Sequence, residues 1–305
     1  MKLLYFLVIC IVFLGSFALG INVRAKELGV KIYDIGSTHQ LPVLAKNEAF
    51  PVLSGQGVIA VDADSNVTLY EKDADSQLYP ASTTKIITAL VSLDYYKQDD
   101  KLTVKRVGVE GQKMGLVLGE EISFDSLMNG LLIYSANDAA ITLADNYPGG
   151  YDAFVASMND KAGELNLRNT HFANPVGLDD ASQVTTARDM VRLSEVAMKN
   201  TYFASIVGTR QKSVQSSDGK FKYDLRNINQ LLGLVDGVKG IKTGWTEAAA
   251  ENLVTYVERD GHKVYIAVLG SQDRFGETKE LIDWIYGNYE WKNIGFVQKA
   301  VGSLF

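Results

Sequence analysis

Three short strings, Ser82-Thr83-Thr84-Lys85, Ser135-Ala136-Asn137 and Lys242-Thr243-Gly244, occur in that order and supply the groups needed for acyl transfer through an acyl-serine intermediate. A serine hydroxyl is a weak nucleophile until a base takes its proton. Lys85, one helical turn beyond Ser82, is the candidate base, provided its amine is neutral near pH 7. Burial and the nearby charge of Lys242 both push a lysine that way, so two lysines converging on one serine make chemical sense where a solvated pair would be inert. Ser135 can relay a proton towards a departing amine, and the Asn137 amide can donate to and accept from a substrate amide. Alone, a Ser-x-x-Lys arises by chance about once in a chain this long, and a Ser/Thr-rich helix start with a solvated lysine is its plain alternative. The order of the three strings, and what surrounds them, carries the reading.

The elements that must position these residues can be read coarsely. Pro80-Ala81 before Ser82 and the apolar run Ile86-Ile87-Thr88-Ala89-Leu90-Val91 after Lys85 put Ser82 at the positive end of a helix. Ser123 and Asp125 suit a helix start leading through Leu127-Met128 and Leu131-Leu132 to Ser135. Further helices are expected over 138–146, 151–165, 187–198 and 275–286. Gly57–Val61 and Val67–Tyr70 read as a hairpin, and strands recur over 240–245, 252–258 and 263–270. Strands at both ends with helices between them imply one sheet built from both ends of the chain, with a helical lobe inserted over about 98–235.

The wider context resembles the serine D-Ala-D-Ala carboxypeptidases, the low-molecular-mass penicillin-binding proteins. Tyr79-Pro80-Ala81 before the first string, Asp138-Ala139-Ala140 after the second and Gly240-Ile241 with Trp245-Thr246 around the third all carry the likeness. So do Asn169-Thr170-His171-Phe172-Ala173-Asn174-Pro175-Val176-Gly177-Leu178 and Thr185-Thr186-Ala187-Arg188-Asp189. The resemblance implies an α+β, two-lobed fold of the serine β-lactamase/penicillin-binding-protein kind: an antiparallel sheet flanked by helices plus a mostly helical lobe, with the site in the cleft between them. It implies peptidoglycan stem peptides as substrates, β-lactams as covalent inhibitors and no cofactor. It also implies an oxyanion hole from the Ser82 and Trp245 N–H groups, pairing of the Lys242-Thr243-Gly244 strand with substrate backbone, and Thr243 at the substrate carboxylate. Arg274 matches a family arginine that assists that carboxylate, and is equally readable as an ordinary surface arginine. One departure is Ala249-Ala250-Glu251 where the family has Ala-Gly, a methyl expected to tighten a close backbone approach.

Residues Leu3 to Ile21 are almost wholly apolar behind Lys2, so 1–21 reads as a signal peptide or an N-terminal transmembrane anchor. Ala18 and Gly20 suit cleavage after Gly20, whereas retention would tie the protein to the cytoplasmic membrane; either way the remainder is expected outside the cytoplasm, in the cell envelope. Residues 22–54 read as a spacer, 55–292 as the catalytic domain and 293–305 as a short tail. The single cysteine, Cys10, lies in the apolar run, so thiol catalysis and disulfides are excluded from the rest. A net charge of −6 with no basic stripe argues against nucleic acid. Three histidines, His39, His171 and His262, lack ligand spacing, which argues against a metal peptidase. Rival readings are a class A-like β-lactamase, for which Glu164-Leu165-Asn166 is a fragment of the deacylation motif at the wrong spacing, a D,D-endopeptidase on the same fold, and a non-catalytic wall-binding protein.

Overall fold

The computed structural model describes residues 40–46 and 48–293. The apolar leader, Cys10, His39 and the tail from residue 294 lie outside the described residues.

The unit from Leu44 to Tyr289 is organised on a five-stranded antiparallel sheet. Its strands are β2 (Gly57–Asp62), β3 (Thr68–Lys72), β8 (Val238–Thr246), β9 (Ala250–Arg259) and β10 (His262–Ser271), in the spatial order β3-β2-β10-β9-β8. The N-terminal hairpin and the three C-terminal strands thus share one sheet, as the strand distribution implied. Asp62 closes the hairpin by accepting from the Ser65 N–H at 2.8 Å, with Asn66 in the left-handed region at φ 61°. Every residue of β2 is buried, so both faces of the sheet are covered. Helix α7 (Arg274–Asn288) packs on β9 and β10, and α5 (Ala187–Lys199) packs on β2 and β10. Strand β8 is left as a sheet edge.

Between Lys72 and Val238 the chain leaves the sheet and builds the helical lobe. Its helices are α1 (Lys85–Tyr95), α2 (Phe124–Ile133), α3 (Asn137–Asn146), α4 (Gly150–Glu164), α5 and α6 (Thr201–Val207). Side-chain caps fix several starts. Ser123 accepts from the Ser126 N–H at 3.1 Å, Thr186 from the Asp189 N–H at 3.0 Å and Asp273 from the Gly276 N–H at 2.9 Å. Two small hairpins not expected from the sequence, β4 (Lys101–Thr103) with β5 (Glu121–Ser123) and β6 (Gln211–Gln215) with β7 (Lys222–Arg226), complete the lobe.

The spacer reading of 22–54 needs correcting. Gln40–Leu44 is a strand, β1, paired with β11 (Tyr289–Asn293) in a two-stranded sheet of their own. Residues 51–55 are tied to the domain as well: Pro51 and Leu53 are buried, the Leu53 carbonyl accepts from Lys72 Nζ at 2.7 Å, and the Glu277 carboxylate accepts from the Ser54 and Gly55 N–H groups. Isolated apolar residues in extended backbone give no periodic signal, which is why this stretch looked like a linker.

At position 250 the backbone conformation itself favours glycine. Ala250 lies at φ 54°, opposite Thr246 at the β8–β9 turn. An L-residue there costs about 1–2 kcal/mol, part of which glycine gives back through its larger unfolded-state entropy. Ala250→Gly is therefore expected to raise stability by about 0.5–1 kcal/mol, read from the urea unfolding midpoint; an unchanged or lower midpoint would refute the assignment of strain.

Candidate active site

Ser82 sits in a single 3₁₀ turn, Ala81–Thr84, that runs directly into α1, so Lys85 opens the helix one turn further on. Lys85 is fully buried, with Nζ 2.8 Å from Ser82 Oγ and 2.7 Å from the Val176 carbonyl that it donates to. The turn is gripped from two sides. On one side, the Cβ of any residue replacing Gly244 would come within 3.0 Å of Ser82 N and 3.1 Å of Pro80 O, so the edge strand β8 runs backbone to backbone against the nucleophile. On the other, Gly177 at φ 89° lies so close that an added Cβ would fall 1.8 Å from Ala81 O. Asn252 of β9 ties in the preceding residue by donating to Tyr79 O at 2.9 Å.

Ser135 lies between α2 and α3 at φ 63°, a conformation favouring glycine just beyond a helix C-terminus. Lys242 Nζ donates to Ser135 Oγ at 2.8 Å and to Thr243 O at 2.9 Å, with Lys242 buried. Asn137 is held by its own surroundings: its N–H donates to Gln112 O and its Nδ2 to Glu110 O, each at 2.7 Å. Its Oδ1 and the Thr243 Oγ1 are buried without a hydrogen-bond partner. Both residues line the cleft, where a ligand could supply the missing partner. Arg274, at the start of α7, donates from Nη1 to Gly244 O at 2.6 Å and stacks over Phe275, so the surface-arginine reading fails. Trp245 is 62% exposed at the rim. Backbone groups of alternate strand residues point the same way, so the Trp245 N–H faces the open edge to which Thr243 O also points. Ser82, Ser135, Asn137, Thr243, Gly244, Trp245 and Arg274 all line one cleft of about 980 Å³, with Lys85 and Lys242 beneath it.

Burial drives the Lys85 amine well below the ordinary lysine range, the Lys242 charge pushes it further down, and the Asp138 carboxylate opposes both. Lys242 is pushed down to about 7 by burial and then by Arg274. The site thus holds one amine disposed to be neutral and one that changes charge near neutrality.

The sequence singled out the Asn-Pro-x-Gly-Leu stretch without giving it a task. Asn174 Oδ1 accepts from the Val176, Gly177 and Leu178 N–H groups, folding a tight loop that aims Val176 O at Lys85 and sets Gly177 against Ala81. Asp138 was likewise missed: its carboxylate accepts from the Met114, Gly115 and Leu116 N–H groups and so fixes the loop beside Asn137. Glu164 of the rival deacylation motif ends α4, pairs with Lys161 at 3.0 Å and lies outside the cleft lining. His171 is exposed and bonds Ser182 O through Nδ1. Among the described residues no cluster of three His, Cys, Asp or Glu side chains could hold a metal.

A family model described as peptidase S11, D-alanyl-D-alanine carboxypeptidase, matches residues 44–273. The chain belongs to the D-alanyl-D-alanine carboxypeptidase family. Among curated members it is 34% identical over 259 residues to D-alanyl-D-alanine carboxypeptidase DacB2 of Mycobacterium tuberculosis, covering 81% of this chain and 84% of that one. It is 29% identical over 245 residues to DacF of Bacillus subtilis, covering 77% of this chain but only 63% of the DacF length. Among solved members, the Streptomyces K15 DD-transpeptidase superposes with a TM-score of 0.75 at 30% identity, covering 79% of this chain and all of that one. The two-lobed penicillin-binding fold expected from the motifs is the fold observed.

Ser135→Ala and Ser135→Gly both remove the hydroxyl and should both lose acylation by penicillin, but they differ in backbone strain. The glycine variant is expected to be the more stable by about 0.5–1 kcal/mol in urea unfolding; equal stabilities would contradict the φ assignment. The folded-state value of about 7 for Lys242 lies below the unfolded lysine value of about 10.4. The unfolded chain then binds the extra proton between those values, so stability from this group rises with pH across the window and is lost as pH falls to 7. The stability of the parent relative to Lys242→Met should accordingly grow from pH 7 to pH 9, by up to about 1.4 kcal/mol per pH unit. A pH-independent difference would show that Lys242 stays protonated in the fold.

Proposed function

We propose that this protein is a serine-type carboxypeptidase that removes the terminal D-alanine from peptidoglycan stem peptides ending in D-Ala-D-Ala, through an acyl-enzyme on Ser82. The observation that carries the reading is the fully buried Lys85 amine 2.8 Å from Ser82 Oγ. When neutral, that amine donates to Val176 O and accepts the Ser82 proton as Oγ attacks the carbonyl carbon of the penultimate residue. The oxyanion faces the N–H groups of Ser82 and Trp245, donors worth ~3 kcal/mol each in such sites. The proton passes by way of Ser135 to the nitrogen of the departing D-alanine, the C–N bond breaks, and acyl-Ser82 remains. Water then attacks the ester, its proton going to the same base, and releases the shortened peptide.

The two unpartnered buried atoms fit this pose. Asn137 Oδ1 takes an N–H from the acyl side of the substrate, and Thr243 Oγ1 meets the terminal carboxylate with Arg274, above the Lys242 amine. β-Lactams acylate the same serine as mimics of the dipeptide. The D-configuration of the substrate rests on family membership and not on the cleft's shape. Cleavage of D,D-crosslinks is the second reading, favoured by 31% identity over 243 residues to the D-alanyl-D-alanine endopeptidase of Escherichia coli K12. The proposal includes a place of action outside the cytoplasm, in the cell envelope, supported by the apolar segment Leu3 to Ile21, which either anchors the protein in the cytoplasmic membrane or is cleaved near Gly20. No helix among the described residues is long and apolar enough to cross a membrane.

Protein from Asn22 onward, incubated with a D-Ala-D-Ala pentapeptide and separately with a penicillin, is expected to release one D-alanine and to carry a long-lived penicilloyl adduct in intact mass. Ser82→Ala should show neither. Normal labelling of a folded Ser82→Ala variant, or rapid penicillin turnover with an untouched peptide, would refute the reading.

A further inference from the structure

The segment that offers the Val176 carbonyl to Lys85 has no helix or strand of its own to shape it. Residues 172–183 form a loop closed at its neck by His171 and Val184, whose backbone groups pair at 2.9 and 3.0 Å. Inside that loop lies the Gln183 side chain, with the residue only 1% exposed. Its Oε1 accepts from the Ala173 N–H at 2.8 Å and from the Asn174 N–H at 3.0 Å. Its Nε2 lies 3.4 Å from both Asn174 Oδ1 and Leu178 O, and 3.5 Å from Thr84 Oγ1. One amide thus touches both ends of the Asn-Pro-x-Gly-Leu stretch and the turn that carries Ser82. Backbone donors taken out of water need partners, and here a single side chain supplies them in place of a helix or sheet.

The loop so shaped meets the Ser82 turn and α1 at three points. Val176 O accepts from Lys85 Nζ and Pro175 O from Thr88 Oγ1, each at 2.7 Å, and Gly177 abuts Ala81. The other partner of Lys85 Nζ is Ser82 Oγ. A neutral amine has two N–H groups and one lone pair. With one N–H on Val176 O, the lone pair is held towards the Ser82 proton; without that carbonyl the amine turns about its Cε–Nζ bond. The loop covers Lys85 without adding charge beside it, since its acids, Asp179 and Asp180, are exposed. Burial lowers the Lys85 pKa most, Lys242 of β8 adds to that effect, and Asp138 of α3 opposes it.

We infer that Gln183 is a positioning residue of the carboxypeptidase: its amide folds the 173–178 segment into a lid that holds the Val176 carbonyl on the Lys85 amine and keeps water from it, so that the lone pair stays on the Ser82 proton. The inference rests on Lys85 acting as the base in the reading above. Gln183 itself touches no reacting atom and acts through Val176.

Second-order rates of penicillin acylation from pH 6 to pH 10, per active protein, test this in the native protein, Gln183→Leu and Asn159→Leu. Asn159 ties the same loop at its first residue, bonding the Phe172 N–H and C=O at 2.9 and 2.8 Å, so its loss injures the loop away from Val176. Opening the lid hydrates the ammonium form and raises the amine's depressed pKa. The acid limb of the Gln183→Leu profile is therefore expected to move up by about one pH unit or more, with acylation down about tenfold at pH 7 and recovered by about pH 10. Asn159→Leu is expected to keep the native limb. Nitrogen-15 NMR of the Lys85 amine, followed over the same range, assigns the limb to that residue. Should Gln183→Leu not fold, Gln183→Asn, one methylene shorter, is read in the same way. A rate that falls by one factor at every pH, a limb that moves as far in Asn159→Leu, or a Lys85 titration left unchanged overturns the role of Gln183 and leaves the carboxypeptidase reading intact. A native protein that penicillin does not acylate overturns that reading instead.

Discussion

The structure is arranged around two lysine amines taken out of water beside two serines. A protonated lysine left in such a place carries a desolvation penalty of several kcal/mol, whereas a neutral amine with hydrogen-bond partners loses little. Lys85 has the Ser82 hydroxyl and one carbonyl, and Lys242 has the Ser135 hydroxyl and one carbonyl. Neither has a carboxylate in contact, and the nearest acidic influence on Lys85 is third in size, behind burial and the Lys242 charge. The fold thus spends stability to keep the Lys85 amine out of water beside Ser82, where the proposed mechanism uses it as the base.

That constraint explains why the site sits where sheet edge and helical lobe meet. A sheet edge supplies unpaired backbone groups in register, and β8 presents them within van der Waals distance of the Ser82 turn because residue 244 has no side chain. The helical lobe supplies the lid over the amines: the 174–178 loop covers Lys85, and the α2–α3 junction covers Lys242. Ser135, and Ala81 with φ 46°, hold left-handed backbone beside the two serines, a conformation that local preference disfavours and the surrounding packing must maintain.

Much of this was readable from residue types. The strings around Ser82, Ser135 and Lys242 named side chains that the structure brings together at one cleft, and the flanking apolar runs pointed to the sheet from both ends and the main helices. What escaped was carried by backbone or by isolated side chains. The Val176 carbonyl has no sequence signature, because any residue offers one. Gly177 and Asp138 stood in noted stretches, but their tasks depend on contacts with Ala81 and with the 114–116 loop, far away in sequence. The β6–β7 hairpin alternates too weakly to announce itself, with only Val214 buried on β6, and Tyr223 of β7 is fixed instead by a 2.6 Å bond to the buried Glu120. Residues 51–54 looked like linker because they are held by isolated side chains, Lys72 19 residues on from Leu53 and Glu277 223 residues on from Ser54, which leave no periodic signal.

The protonation state of Lys85 decides whether this arrangement works as described. Nitrogen-15 NMR of lysine-labelled protein, with the Lys85 resonance assigned by its absence in Lys85→Met, reads that state directly at pH 7. A neutral amine, with the shift and two-proton coupling pattern of NH₂, is the expected result. An ammonium that persists from pH 7 to pH 9 would mean that another group takes the Ser82 proton.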